Sequence, residues 1–403
     1  MKKIAKVTCL LLALAMMMST LTACGSGETT TESSTESTST ETSGTDASSS
    51  DGEILLGMIG PLTGDYANYG TSVRDGAQIA VDEINEAGGV NGMKLVLSAQ
   101  DSQGDPDSAV SAYNKLMDDG MDISLGCVLS GEAASVITAA AADDILILTP
   151  TSSAKDCIAA NDKAFRICFN DPDQGTASAN YIADNNLATK VAVFYQSDID
   201  YSDGLYETFE AQAAERGLEI VEVQTFTDGS KTDFSTQIDA IRASDCELVF
   251  LPIYAAEAAT FLTQANGVLN DVVYFGCDGL DGIQTKGIDL SMIEGLMMLT
   301  PFAADAQDEK TVNFVAKYEP IHGSTPDQFA ADGYDAVYTA KAVLEATGKV
   351  PGDADFTSSL VDAMYEIQVE GLTGTMTWNE EREPNKDAKA MVFHDGVAEL
   401  FAE

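Results

Sequence analysis

Ile54–Glu86, ILLGMIGPLTGDYANYGTSVRDGAQIAVDEINE, decides how the rest of the chain reads. It opens with an apolar run, Ile54–Ile59, of the length of a buried parallel strand. Gly60, Pro61, Thr63 and Gly64 turn the chain, and a polar loop then carries Tyr66 and Tyr69. After Gly70 the apolar residues fall at Val73, Ala77, Ala80, Val81 and Ile84, which is helical spacing with an acidic opposite face. A strand feeding a helix through an irregular loop puts that loop at the carboxyl edge of a sheet, where α/β proteins bind ligands.

The same alternation continues outward. Strands are expected at Leu95–Ala99, Ile123–Val128 and Ile145–Leu148, separated by helices over Thr71–Glu86, Asp107–Asp118 and Gly131–Ala142. A second series begins with a helix over Thr176–Asn185. It runs on through strand Val191–Tyr195, helix Gly204–Glu215, strand Ile220–Phe226, helix Phe234–Ala243, strand Leu248–Ile253, helix Ala256–Ala265 and strand Val272–Gly276. Two alternating series argue for an α/β protein of two Rossmann-like lobes with parallel sheets. The length, 403 residues, also suits two domains better than one core.

The charge is far from balanced, at −44. Lys2, Lys3 and Lys6 form a basic start, Val7–Met18 is an apolar stretch too short to span a bilayer, and Leu21-Thr22-Ala23-Cys24 resembles a bacterial lipobox. Residues 1–23 therefore read as a lipoprotein signal peptide and Cys24 as a lipidated first residue, with more than one acyl chain for stable anchoring. Removing the signal takes three of the 21 basic residues and none of the 65 acidic ones, leaving −47. Such a surface repels phosphate backbones, which excludes nucleic acid as a partner. Residues 24–52, nearly all Ser, Thr, Glu and Gly, cannot bury apolar area against their chain entropy and read as a tether.

Catalysis finds little support. The only histidines are His322 and His394, and His322 falls in a Pro/Gly-rich stretch, EPIHGSTP, that reads as surface loop. No HExxH, GxSxG, GxGxxG or GxxxxGK[ST] occurs. Cys127, Cys157, Cys168, Cys246 and Cys277 lack CxxC spacing, so neither a metal nor a cofactor is expected. Export permits a disulfide, and Cys157 and Cys168 are the closest pair in sequence, although spacing does not fix connectivity.

Polar groups do collect where strands end. Ser130 reads as an N-cap after Ile123–Val128, with free N–H groups and a positive dipole end beyond it, a suitable carboxylate site or simply a structural cap. Thr149–Ser153 supplies hydroxyls and loop amides that lie beside Ser130 if the two strands are neighbours. An Asp before Gly, such as Asp278, is ordinarily a turn residue.

GPLTGDYANYG, GAQIAVDEINEAGGVNG, LGCVLSGEAA and ILILTPTSS together resemble the periplasmic leucine/isoleucine/valine-binding proteins, the type I solute-binding proteins of ABC importers. The resemblance extends from about residue 52 to Trp378. It implies three chain crossings between the lobes, at Phe169–Gly175, near Thr300–Ala303 and near Thr373–Thr377. Lobe 1 would then combine residues 53–170 and 302–373, and lobe 2 residues 171–301 and 374–403. By the same resemblance, Ser130 and Ser153 grip an amino-acid carboxylate and Thr151 offers its carbonyl to the ammonium. Tyr69 packs on the ligand side chain, Tyr201 closes over the ligand, Tyr254 borders it, and Asp278 faces the ammonium where leucine-type relatives have Glu. Tyr66 is expected at the rim or in the core. The lobe 1 disulfide of those relatives is missing, its two positions being Gly104 and Leu129. The implied function is that of a lipid-anchored, monomeric protein outside the cytoplasm. It would bind a small, branched-chain or aliphatic amino acid and deliver it to membrane permease subunits, without enzymatic activity. The alternatives are a relative for amides, urea or aromatic acids, or a ligand-sensing ectodomain of the same fold.

Overall fold

The computed structural model describes residues 52–401. The expected signal segment, Cys24 and the tether up to residue 51 lie outside the described residues. From the first strand the chain runs β1 (Glu53–Gly60), α1 (Ala67–Glu86), β2 (Lys94–Asp101), α2 (Pro106–Asp118), β3 (Ile123–Cys127), α3 (Ser130–Ala139), β4 (Leu146–Thr149) and β5 (Ala164–Arg166). These five strands pair in parallel in the order β2-β1-β3-β4-β5. The order reverses between β1 and β3, so the loops after those two strands diverge and leave a crevice. Helix α1 begins four residues before Thr71, where the sequence suggested, so Tyr69 is in its first turn and not in a loop. The reason is Asp101: its carboxylate accepts from the Leu62 and Thr63 amides (2.8 and 3.3 Å) and the Thr63 hydroxyl, completing the turn early.

The second series is α4 (Asp171–Asp184), β6 (Lys190–Gln196), α5 (Asp200–Arg216), β7 (Glu219–Phe226), α6 (Ser235–Ala243), β8 (Leu248–Leu251), α7 (Ala255–Ala265), β9 (Val273–Gly276) and β10 (Met297–Thr300). Helix α4 starts at Asp171, five residues ahead of expectation. The Asn170 side chain caps it by accepting from the Asp173 amide at 2.9 Å, and Pro172 is tolerated in a first turn whose N–H groups have no acceptor within the helix. Turn-forming residues had masked a helix start.

From β10 the chain returns to the first sheet as α8 (Glu309–His322), α9 (Gln328–Thr347) and α10 (Phe356–Met364). Helices α1 and α9 touch backbone to backbone at facing glycines. A Cβ on Gly76 would sit 1.8 Å from the Ala330 carbonyl oxygen, and one on Gly333 would sit 2.2 Å from that of Val73. A two-stranded ladder follows, β11 (Val369–Glu370) with β12 (Thr375–Met376). Finally β13 (Lys389–His394) and β14 (Val397–Leu400) add antiparallel to β10, giving a second sheet β14-β13-β10-β9-β8-β6-β7. The chain thus passes between the sheets three times: after β5, after β10 and between β12 and β13. In the last passage Trp378 donates to the Arg166 carbonyl (2.7 Å), and Arg166 N–H to that of Arg382 (3.2 Å), so this segment lies along β5 before reaching the second sheet.

The disulfide that the sequence permitted is not formed: Cys157 and Cys168 are unbonded thiols, as are the other three cysteines among the described residues; Cys157 Sγ faces the Ser152 carbonyl (3.4 Å) and the Arg166 guanidinium (3.3 Å). One expectation is corrected. His322 is not in a loop but ends α8, its Nδ1 3.0 Å from the Asp75 carboxylate and its ring against Tyr318.

Several carboxyls are buried deeply enough that their ionisation is resisted, which makes stability depend on pH. Burial pushes Glu132 up to about 7, and Asp332 likewise to about 7. Burial also raises both Asp281 and Asp327, and their mutual repulsion adds to it. A carboxyl whose folded pKa is raised contributes stability that is complete below its unfolded pKa and is lost as pH rises through the folded value. The thermal midpoint is therefore expected to be higher near pH 5 than at pH 8.5, and a pH series of unfolding scans with the opposite slope would contradict this.

Candidate functional site

All seven residues singled out from the sequence border one cavity. Tyr69, Ser130, Thr151, Ser153, Tyr201, Tyr254 and Asp278 line it, together with Val128, Leu129, Gly279 and Phe329. It lies at the carboxyl ends of strands from both sheets and is small, about 10 Å³, on the scale where one water needs about 10–15 Å³. A larger groove of about 460 Å³ opens around Asp75, His322 and Asp327, and none of the seven borders it.

On the side of the first sheet, two adjacent loops are stitched together. Ser130 does not cap α3, as expected; Leu129 occupies that position without a side-chain bond. The Ser130 Oγ instead accepts from the amides of Ser153 (3.2 Å) and Ala154 (3.1 Å) across the gap between β3 and β4. Its own proton remains to be donated. Thr151 Oγ1 donates to the Val128 carbonyl (2.8 Å), and Ser152 Oγ to that of Cys127 (2.8 Å). The tie forms because β3 and β4 are hydrogen-bonded neighbours. Gly104 and Leu129 are indeed close, a Cβ on Gly104 lying 3.9 Å from Leu129 Cδ1, and the Tyr66 ring fills the space at 3.0 Å.

On the opposite side stands Asp278, after β9. Tyr201 OH donates to one carboxylate oxygen (2.8 Å) and Gln174 Nε2 to the other (3.0 Å), while the Tyr201 oxygen accepts from the Gly279 amide (2.9 Å). Burial raises the Asp278 pKa despite these donors. Asp171, at the start of α4, was read only as a turn former. Its amide donates to the Ser153 carbonyl (2.9 Å), its side chain is fully buried, and neither carboxylate oxygen has a hydrogen-bond partner. Burial and the neighbouring Asp278 charge raise its pKa far above the usual range. Asp278 thus borders the cavity without a cationic partner, and Asp171 lies close enough to feel its charge without lining the cavity itself. Asp171 had no sequence signal beyond lying in the crossing segment, and Phe329 and Gln174 likewise had none.

Aromatic rings complete the wall. Tyr201 and Tyr254 stack at 4.6 Å, Tyr69 meets Phe329 edge-on at 4.7 Å, and Tyr66 packs on Tyr254 at 5.2 Å. Several bonds span the two lobes. The Tyr69 hydroxyl donates to the Gly279 carbonyl (2.7 Å) and accepts from the Ala255 amide (2.8 Å). Tyr66 OH donates to Glu257 (3.1 Å), and Lys286 Nζ to Asn68 Oδ1 (2.6 Å). The cleft is closed, and anything larger than a water enters only when the lobes part. Serine hydroxyls on one wall and the Asp278 carboxylate, without a cation, on the other suit a small zwitterion.

Two α/β lobes joined by three crossings, with a polar cavity sealed between them, define a cleft-closing solute-binding protein. The sequence pattern of the periplasmic binding protein family matches residues 53–394, and the chain belongs to that family, one of solute-binding proteins and not of enzymes. It is 30% identical over 335 residues to Leu/Ile/Val-binding protein homolog 3 of Brucella melitensis, covering 83% of this chain and 89% of that protein. Among solved structures, the branched-chain amino acid transporter substrate-binding protein LivJ of Streptococcus pneumoniae, in complex with isoleucine, superimposes with a TM-score of 0.78. That likeness has 25% identity and covers 87% of this chain and 99% of LivJ. A solute-binding protein of R. palustris in complex with benzoate gives the same TM-score, 0.78, at 20% identity over 87% of this chain and 95% of its own. That second likeness shows the fold alone.

Proposed function

We propose that this protein binds a small L-amino acid, of the aliphatic or branched-chain class, between its lobes and delivers it to the membrane permease of an ABC importer. The observation that supports the reading is Asp278, a buried carboxylate with no cation beside it, bordering one cavity together with Ser130 and Ser153. Ser130 and Ser153 would take the ligand carboxylate, with the N-terminal end of α3 adding its favourable dipole. Asp278 would take the ammonium, with the Thr151 carbonyl contributing. Tyr69, Tyr254 and Phe329 would pack on the side chain, and Tyr201 would close over it while holding Asp278. Neutral amides, urea and aromatic acids would leave the Asp278 carboxylate buried without a cation, which is costly. The relatives named as Leu/Ile/Val-binding and the isoleucine-bound LivJ point to the same ligand class.

The lobes in this reading are residues 53–170 with 302–373 and residues 171–301 with 374–403. No helix among the described residues is long and apolar enough to cross a membrane. Attachment to the outer face of the cell membrane would instead come through lipidated Cys24 and the tether of residues 24–52. A thermal-shift screen tests the ligand class, using protein unfolded and refolded to strip carried ligand. An amino acid at 100 times its dissociation constant adds about 2.7 kcal/mol. Shifts with aliphatic amino acids are expected; shifts confined to amides, urea or aromatic acids would overturn the reading.

A further inference from the structure

Arg166, the last residue of β5, is fully buried although it carries a charge. Its guanidinium forks onto Glu383, with Nε 2.7 Å from Oε2 and Nη2 3.1 Å from Oε1, the bidentate geometry that fixes both partners in plane. Apart from the Nη1 contact with Cys157 Sγ (3.3 Å), the remaining donors go to main-chain carbonyls of a single loop. Nη1 bonds the Ser152 carbonyl, and Nη2 reaches those of Ala154 (2.8 Å) and Lys155 (3.4 Å). This is the loop whose inner side carries Thr151 and Ser153 against the cavity and whose amides are held by Ser130. With its outward carbonyls captured by one rigid cation, the loop cannot rotate its peptide groups independently. Glu383 lies in the third crossing, which meets β5 again through Trp378 and Arg382. One ion pair therefore connects the passage between the lobes to the back of a cavity loop.

We propose that Arg166 is a positioning residue: through Glu383 it couples the third crossing to the orientation of the Thr151–Lys155 loop, so that bending at the hinge and retention of ligand are linked. The ligand half of this statement rests on the amino-acid reading above; the loop half does not. Glu383, partly open to solvent, is the safer site for a test than fully buried Arg166. In the full chain, Glu383→Gln is expected to speed hydrogen exchange in the 151–156 segment by about tenfold or more, since the local opening then lacks its clamp. It is also expected to weaken L-leucine binding by about tenfold, mostly through faster release. Arg382→Ala is the control. Arg382 donates to the Ala164 (3.0 Å) and Ile158 (3.4 Å) carbonyls from the same crossing without touching the loop. It should lower the thermal midpoint and leave both readouts in place. Unchanged exchange of the 151–156 segment in Glu383→Gln would reduce the pair to a structural brace and overturn the proposal. A wild-type protein that binds no amino acid would count against the ligand class alone, because the exchange readout needs no ligand.

Discussion

Replacing Asp278 by Asn should weaken amino-acid binding by about 3–5 kcal/mol, between a hundredfold and several thousandfold in Kd. The substitution keeps the side-chain shape but leaves one acceptor oxygen where Tyr201 and Gln174 use two, so the charge and one hydrogen bond are lost. In the free protein the outcome runs the other way. Asp278 and Asp171 are both buried without an ion-pair partner, and the Asp278 charge raises the cost of ionising Asp171. Removing one charge relieves that repulsion, so the thermal midpoint of ligand-free Asp278→Asn should stay level or rise. A collapse of affinity in a protein no less stable than wild type would separate binding from folding. Titration calorimetry with undiminished affinity would remove Asp278 from the site.

The second large effect is on stability. Lys386, in the third crossing, and Asp332, on α9, form an ion pair at 3.0 Å with both side chains fully buried. Lys386 Nζ also bonds Thr373 Oγ1, and Asp335 accepts from the amides of Leu372 (2.7 Å) and Thr373 (2.9 Å). These bonds fasten the start and end of the crossing to one helix. Lys386→Met would leave the Asp332 carboxylate buried beside Asp335 with no counter-charge, a loss of about 3–5 kcal/mol. Replacing both partners by apolar residues of similar size should restore most of that loss. Asp332 already sits at about 7 because of its burial, so the single variant's penalty should shrink at acid pH as the carboxyl takes a proton. Denaturant unfolding at pH 5 and pH 8 measures all three; equal loss in the single and double variants would contradict the account.

Much of the architecture was legible because it depends on periodicity. The runs Ile54–Ile59, Val191–Tyr195 and Leu248–Ile253 are buried on both faces, as parallel strands must be, and amphipathic helices separate them. The errors lie where local chemistry has two uses. Asn-Asp-Pro serves a turn or a capped helix start, and only the Asn170 bond to Asp173 decides for the helix. Ser130 looks like a cap, but the neighbouring loop captures its hydroxyl. Resemblance brought out the seven cavity residues because they stand in recognisable motifs. Asp171 needed the fold: its importance comes from burial without a partner and from nearness to Asp278, 107 positions away in the chain, and no spacing encodes either.

Calorimetric titration of the refolded protein with three matched compounds bears most directly on the site. These are the amino acid giving the largest thermal shift, its deaminated acid and its decarboxylated amine. If Ser130 and Ser153 hold the carboxylate while Asp278 holds the ammonium, only the intact amino acid binds tightly, and each truncated compound loses about a hundredfold or more. Equal or tighter binding of the deaminated acid would contradict the account, because Asp278 would then face no cation.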